Sequence, residues 1–196
     1  MSGVRTGLVL AGGRSVRMGR DKALLPWQGA PLWQWQARLL RDAGVKRWLL
    51  SCRHEQQIDA PAAEWSARNG MDLEVIHDPA GSTGGMLEAL RRGLRAAGGQ
   101  TLVVSVDMPR VTAGLVSLLW EKAGEGGCFF STAEGGVEPF PGLYAPAMLE
   151  WLAVEGKSLK AILATCLAAG AATAVPVPVE VEDFLANWNR PGDVAG

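Results

Sequence analysis

The stretch LVLAGGRSVRMGRDKALL, residues 8–25, decides the fold prediction. It opens with an apolar run of the kind that forms a buried strand, and this run ends at Gly12 and Gly13. Four cations follow the glycines: Arg14, Arg17, Arg20 and Lys22. Because glycine has no Cβ, its backbone N–H groups can approach an anion closely, and arginine or lysine can neutralise phosphate oxygens. The stretch therefore predicts a first strand followed by an anion-binding loop.

The spacing of these glycines excludes two common phosphate-binding motifs. Residues 8–25 contain neither GxGxxG, the dinucleotide fingerprint, nor GxxxxGK[ST], the P-loop. From the residues alone, a simple glycine turn with solvated cations stays open as the alternative to an anion site.

The composition indicates a soluble globular protein of one domain, covering residues 1–196. The chain has 48% hydrophobic residues and a net charge of -1, so a general electrostatic nucleic-acid binder is excluded. No apolar run approaches the roughly 20 residues that span a bilayer, and the first apolar run lacks a signal-peptide cleavage pattern. Cys52, Cys128 and Cys166 form no CxxC pair, which is typical of reduced thiols. We expect a cytoplasmic protein that binds neither membrane nor nucleic acid.

Strand-like and helix-like patterns alternate along the first two thirds of the chain. Strands are predicted at 7–10, 48–52, 73–77, 101–106 and 128–131, with helical apolar spacing at 32–43, 86–97 and 115–119. Alternation of this kind predicts an α/β fold, a three-layer α/β/α sandwich around a Rossmann-like, mostly parallel sheet.

The second half of the sequence is less regular. VEPFPGLYAP, residues 137–146, contains three prolines and is predicted to be an edge strand or a segment that lines the site. Two helices are predicted near 147–154 and 158–169, and ATAVPVPVEVEDFLANWN, residues 172–189, is predicted to be extended.

Two aspartates follow predicted strands directly. Asp107 comes after TLVVSV and before Met108-Pro109, and Asp78 comes after LEVIH. Ligands of open α/β sheets bind beyond the carboxyl ends of the strands, and a carboxylate there can hold Mg²⁺. Capping of a helix near Thr112 is the alternative role for Asp107.

Four segments resemble the molybdenum cofactor guanylyltransferases, the MobA family. LAGGRSVRMGRDK, residues 10–22, matches every fixed position of that family's LAGGxSxRMGxDK signature. VDMP (106–109), VIHDPAGSTGGM (75–86) and FLANWNRPGD (184–193) are similar to its CDxP, D…GPLAGM and F.NxNTPED elements. The resemblance implies the fold of the nucleotide-diphospho-sugar transferases. It also implies transfer of GMP from GTP to the terminal phosphate of the molybdopterin cofactor, with release of pyrophosphate.

The resemblance also assigns roles to residues, with the nucleotide in the N-terminal half and the pterin towards the C-terminus. The implied groups are Arg17, Lys22 and Asp107 for catalysis; Leu10, Ala11, Gly12, Gly13, Lys22, Asp78, Gly81 and Asp107 for the nucleotide; Asp107 for Mg²⁺; and Asn187 and Asn189 for the pterin. Trp27 and Trp188 are interpreted mainly as packing residues, with stacking on a flat heterocycle as the alternative.

Three departures from the family pattern leave the choice of base open. Cys52 stands where the family has asparagine, and Ser82 and Thr83 replace Pro-Leu. A cytidylyltransferase or another nucleotidyltransferase stays an alternative, although the second glycine after Ala11 favours a purine. A non-catalytic adaptor for molybdoenzymes or cofactor-insertion proteins is the alternative of another class, and those proteins are the candidate partners.

Overall fold

Nine strands are present in the described part of the chain. The computed structural model describes residues 5–13, 21–79 and 85–188. The strands are β1 (Thr6–Leu10), β2 (Pro26–Trp27), β3 (Ala30–Pro31), β4 (Arg47–Cys52), β5 (Asp72–His77), β6 (Thr101–Ser105), β7 (Gly127–Ser131), β8 (Val137–Tyr144) and β9 (Ala172–Pro176).

Six α-helices accompany these strands within the same residues. They are α1 (Leu32–Asp42), α2 (Asp59–Arg68), α3 (Met86–Ala97), α4 (Ala113–Lys122), α5 (Met148–Leu152) and α6 (Leu159–Ala168). Short 3-10 helices cover Lys22–Leu24, His54–Gln56 and Val179–Leu185.

Seven of the strands form one sheet in the order β5-β4-β1-β6-β8-β7-β9, and β2 and β3 form a separate antiparallel ribbon. All neighbours in the large sheet are parallel except β8, which runs antiparallel to both β6 and β7. The four strands β5, β4, β1 and β6 therefore end at the same edge. This edge is where an open α/β sheet places its ligands.

Helices cover both faces of the sheet, as the central strand shows. Gly7 and Leu8 point to opposite faces of β1, and every residue of this strand is buried. A Cβ on Gly7 would lie 2.7 Å from Leu40 of α1, and a Cβ on Gly93 of α3 would lie 2.4 Å from Leu8. Helices α1 and α3 thus pack closely on the two sides of β1. The predicted three-layer, mostly parallel architecture is confirmed.

The predicted edge strand at residues 137–146 is wrong, because β8 lies inside the sheet. Gly142 and Leu143 pair with both neighbouring strands. Pro139 and Pro141 lie between the two stretches that pair with β7, where the register shifts. Proline has no backbone N–H to donate to a neighbouring strand. At a bulge the extra residues are unpaired, so prolines there remove no hydrogen bond from the sheet.

Two further segments differ from the sequence predictions. Helix α2 follows β4 where no helix was predicted, and only Ala62 and Ser66 of this helix are buried. Of the chain predicted to be extended at 172–189, β9 is extended but Val179–Leu185 is a 3-10 helix. Within the described ranges, none of the helices combines the length and hydropathy that crossing a membrane requires.

Candidate active site

Main-chain hydrogen bonds hold the carboxyl ends of the four parallel strands side by side. The N–H of Ala11 donates to the carbonyl of Ser51 over 2.8 Å, and the N–H of Asp78 donates to the carbonyl of Cys52 over 2.9 Å. On the other side of β1, the N–H of Val106 donates to the carbonyl of Leu10 over 3.3 Å. The described residues that directly follow β1, β4, β5 and β6 therefore lie side by side at this edge of the sheet, which we call the cleft.

Lys22 and Asp107 meet in this cleft. The Lys22 Nζ lies 3.3 Å from Asp107 Oδ2, and the two side chains are 15% and 21% exposed. The hydroxyl of Ser105 donates to Asp107 Oδ1 over 2.6 Å, which fixes the orientation of the carboxylate. Thr112 caps α4 with its own hydroxyl, so Asp107 does not serve as that cap. The Asp107 carboxylate is left facing the cleft.

A buried carboxamide connects the glycine loop to the segment that carries Lys22. Gln56, only 4% exposed, donates from Nε2 to the Ala11 carbonyl and to Asp21 Oδ1, both over 2.8 Å. Asp21 also accepts from the N–H of Ala23 over 3.0 Å, and so caps the short helix that begins at Lys22. The guanidinium of Arg53 pairs with the other oxygen of Asp21. The base of Lys22 is thereby fixed relative to β1.

Asp78 reaches the glycine loop from the end of β5. Its Oδ1 pairs with Arg92 of α3, and its Oδ2 lies 2.7 Å from the place that a Cβ on Gly12 would occupy. A side chain at position 12 would therefore displace this carboxylate. The residue at position 12 is glycine because of this close approach.

Gly12→Ala is expected to destabilise the fold by about 1–3 kcal/mol, since the added methyl overpacks against an ion-paired carboxylate. Gly99→Ala is the matched control, because a Cβ there meets no atom within 4 Å. That control is expected to be neutral or to stabilise by up to about 1 kcal/mol. Urea unfolding of both variants measures the difference, and equal midpoints would contradict the packing argument.

A second polar cluster lies behind the ends of β4 and β5. The Cys52 Sγ lies 3.8 Å from His77 Nδ1, and His77 Nε2 lies 2.8 Å from Asp59 Oδ2. Burial, followed by the nearby carboxylate of Asp59, raises the pKa of the Cys52 thiol to about 12. The thiol is therefore neutral and fully buried, and it does not suit the role of a nucleophile.

Aromatic rings border the cleft on the side of β6. The N–H of Trp188 donates to the Asp107 carbonyl over 2.8 Å, which places Asn187 and Trp188 beside the end of that strand. The Trp188 ring lies edge-on to Trp27 at 5.3 Å, and the Arg110 guanidinium lies 5.9 Å from the Trp188 ring. Trp27 also packs on Trp35 at 4.7 Å. The two tryptophans singled out in the sequence are thus in contact with each other.

The structure brings most of the predicted site residues to one edge of the sheet. Those placed there are Leu10, Ala11, Gly12, Gly13, Lys22, Asp78, Asp107 and Asn187. Arg17, Gly81 and Asn189 lie outside the described residues, as do Ser82 and Thr83. The sequence predictions did not include Gln56, Arg92 or Ser105. Asp21 could have been found, since it is a fixed position of the LAGGxSxRMGxDK pattern.

The residues around Asp107 fit the magnesium ion that the family resemblance implies. Mg²⁺ prefers oxygen ligands and is commonly bound by one or two carboxylates together with substrate phosphates. Asp107 offers a partly exposed carboxylate whose orientation is fixed by Ser105. Lys22, 3.3 Å from the same carboxylate, places a second positive charge beside it.

The chain is similar to proteins of one enzyme family over nearly its whole length. A probable molybdenum cofactor guanylyltransferase from Opitutus terrae is 33% identical over 191 residues, which cover 95% of this chain and 91% of that protein. A molybdenum cofactor guanylyltransferase from Cereibacter sphaeroides is 35% identical over 192 residues, covering 96% and 93%.

Solved structures share the fold at lower sequence identity. A nucleotidyl transferase from Methanothermobacter superposes with a TM-score of 0.75 at 22% identity, covering 97% of this chain and 94% of the other. The molybdopterin-guanine dinucleotide biosynthesis protein A from Archaeoglobus fulgidus gives 0.64 at 23% identity, covering 97% and 95%. The family model of the MobA-like NTP transferase domain matches residues 7–177. The chain therefore belongs to the MobA-like NTP transferases, and it is a nucleotidyltransferase.

Proposed function

We propose that this protein transfers GMP from GTP to the terminal phosphate of the molybdopterin-bound molybdenum cofactor, releasing pyrophosphate. The observation that carries the proposal is the Lys22–Asp107 pair, 3.3 Å apart at the end of β6 and beside the glycine loop. The relatives from Opitutus terrae and Cereibacter sphaeroides, named for this activity, support the choice of reaction.

The nucleotide binds along the glycine loop after β1. Backbone N–H groups at Gly12 and Gly13 face the triphosphate, and Arg17 adds charge from the segment that follows. Gln56 holds this loop against Asp21, so the donors are positioned before the ligand arrives. Preorganised donors cost little reorganisation when they meet an anion.

The reaction requires charge neutralisation rather than a general base. A phosphate monoester is already largely ionised near neutral pH, so the acceptor phosphate needs no deprotonation before it attacks the α-phosphorus of GTP. Two anions must then be held in line, which is a problem of positioning and of electrostatics. Lys22 supplies a fixed ammonium charge for this purpose. A magnesium ion on Asp107 would supply further positive charge to the phosphate oxygens when bound.

The acceptor binds on the side of β6 where Asn187 and Trp188 lie. The carboxamides of Asn187 and Asn189 can donate to and accept from the polar edge of a pterin. The bond from the Trp188 N–H to the Asp107 carbonyl keeps this segment next to the reacting phosphates. Nucleotide and acceptor therefore approach Asp107 from its two sides.

Pyrophosphate release with the molybdenum-bearing pterin, measured with GTP, CTP and ATP in the presence and absence of Mg²⁺, tests this function. We expect turnover that needs Mg²⁺ and that is at least about tenfold faster with GTP than with CTP. A preference for CTP would show a cytidylyltransferase instead. GTP binding in calorimetry with no turnover would favour the non-catalytic adaptor. We further propose that the protein acts in the cytoplasm and hands its product to molybdoenzymes or cofactor-insertion proteins.

A further inference from the structure

The cluster of Cys52, Asp59 and His77 has the composition of a metal site, and nothing in the proposed reaction uses it. The thiol sulphur, one imidazole nitrogen and one carboxylate oxygen all lie within 4.8 Å of one another. The Cys52 Sγ is 3.8 Å from His77 Nδ1 and 3.9 Å from Asp59 Oδ1. Three different ligand types therefore lie together at the ends of β4 and β5, where the imidazole meets Cys52 through Nδ1 and Asp59 through Nε2.

These separations are close to those of a tetrahedral zinc centre. Zinc binds sulphur at about 2.3 Å and nitrogen or oxygen at about 2.0–2.1 Å, which puts neighbouring ligand atoms roughly 3.3–3.6 Å apart. The Cys52 sulphur lies a few tenths of an ångström farther from His77 Nδ1 and Asp59 Oδ1 than in such a centre. The Asp59 carboxylate, which contacts His77 through Nε2, has to turn from that nitrogen towards Nδ1 for the three groups to hold one ion. Sulphur, imidazole and carboxylate together suit zinc, whereas magnesium prefers oxygen alone.

The charges around the cluster favour a cation at this point. Asp21 pairs with Arg53 and Asp78 pairs with Arg92, so each of these neighbouring carboxylates faces a guanidinium. Asp59 instead contacts the imidazole of His77 and the thiol of Cys52. A divalent ion would neutralise the Asp59 carboxylate and the thiolate that forms on binding.

A metal ion could reach the cluster from solvent, and neighbouring contacts fix its ligand side chains. The Asp59 side chain is 48% exposed and that of His77 is 20% exposed, which leaves a solvent side for entry and for a water as fourth ligand. The His54 ring stacks on His77 with centroids 3.6 Å apart, and this contact fixes the plane of the imidazole. Cys52 is fully buried and held in β4.

We propose that Cys52, Asp59 and His77 bind one Zn²⁺ ion, with water as the fourth ligand. Binding releases the thiol proton of Cys52 to solvent and leaves a thiolate on the metal, with no change of oxidation state. The ion joins the first residue of α2 to the last residues of β4 and β5, directly before Arg53 and Asp78. The ion would hold together the two strand ends from which those site residues extend.

Titration of the reduced, metal-free full chain with Co²⁺, followed by competition with Zn²⁺, tests the site directly. We expect one equivalent of Co²⁺ to give a thiolate-to-cobalt charge-transfer band and the visible spectrum of a four-coordinate ion, both displaced by Zn²⁺. Cys52→Ser removes the thiolate band, and His77→Gln weakens Zn²⁺ binding by about 100-fold or more.

Two matched variants control for the other cysteines and for general acidity. Cys166→Ser changes another fully buried thiol, and Asp72→Asn removes an exposed carboxylate from the opposite end of β5. Both are expected to keep the band and the affinity of the unaltered chain. Absence of a stoichiometric Co²⁺ spectrum, or a band that survives Cys52→Ser, would overturn the proposal. The titration uses neither GTP nor the pterin, so its result is independent of the proposed transfer reaction.

Discussion

Asp107→Asn is expected to lower kcat/KM for nucleotidyl transfer by about 10³-fold while leaving the fold intact. The substitution keeps the size and shape of the side chain but removes the charge that faces Lys22 at 3.3 Å. A neutral carboxamide is a poor ligand for Mg²⁺, and loss of one preorganised electrostatic group commonly costs 10²–10³-fold in rate. Pyrophosphate release at saturating Mg²⁺ measures the loss, and thermal unfolding checks the fold.

Asp42→Asn is the control for this variant, because Asp42 is an exposed carboxylate at the end of α1. It is expected to retain the activity of the unaltered chain. If Asp107→Asn retained more than about a tenth of the activity, Asp107 could not be the metal ligand of the reaction.

Lys22→Met is expected to lower kcat/KM by about 10²–10³-fold, because it removes a fixed ammonium charge while preserving the length of the side chain. Lys22 is held at the start of a short helix that Asp21 caps, so its charge is positioned before substrate binds. Lys122→Met, at the exposed end of α4 and the opposite edge of the sheet, is the control with the same change of charge. Unchanged transfer by Lys22→Met would remove Lys22 from the mechanism.

The double variant adds a test of coupling between the two residues. Lys22 and Asp107 are in direct contact, and substitutions of contacting residues are commonly non-additive. The loss in the double variant should be clearly smaller than the product of the two single losses. A fully multiplicative loss would show that the two groups act independently.

The central strands of the parallel half could be predicted from the sequence because they are buried on both faces. In β1 and β6 such burial produces continuous apolar runs, and glycines or aspartates mark where these strands end. The prediction was wrong for β8, because its prolines suggested a strand at the edge of the sheet. Whether a proline is tolerated inside a sheet depends on the register of the neighbouring strands, which is a tertiary property that a local pattern does not contain.

Helix α2 escaped prediction for a different reason. It packs through small side chains such as Ala62 and Ser66, so it lacks the periodic large apolar residues that reveal α1 and α3. Its contact with β4 includes the hydrogen bond from Trp48 Nε1 to Ser66 Oγ over 3.1 Å. A serine gives no signal of such a partner 18 residues away.

The residues of the candidate site also fall into those that the sequence pattern predicts and those that it does not. Asp107 closely follows the apolar run of β6, and Lys22 is the last cation of the glycine-cation stretch, so residue type and position pointed to them. Gln56 and Arg92 lie on helices and reach the cleft only through the folded arrangement. The same holds for Asp59 and His77, which come from different elements and meet across the edge of the sheet.

The bridge made by Gln56 has a consequence for the entropy of the loop that joins its two partners. One carboxamide holds the carbonyl of Ala11 and the carboxylate of Asp21, so it fixes both ends of the segment containing Arg17. Joining two points that are about ten residues apart in an unfolded chain costs about 2 kcal/mol in chain entropy, apart from a constant. The hydrogen bonds of the buried Gln56 offset this entropy loss when the protein folds. A ligand that binds next to Ala11 and Asp21 therefore does not lose the same chain entropy on binding.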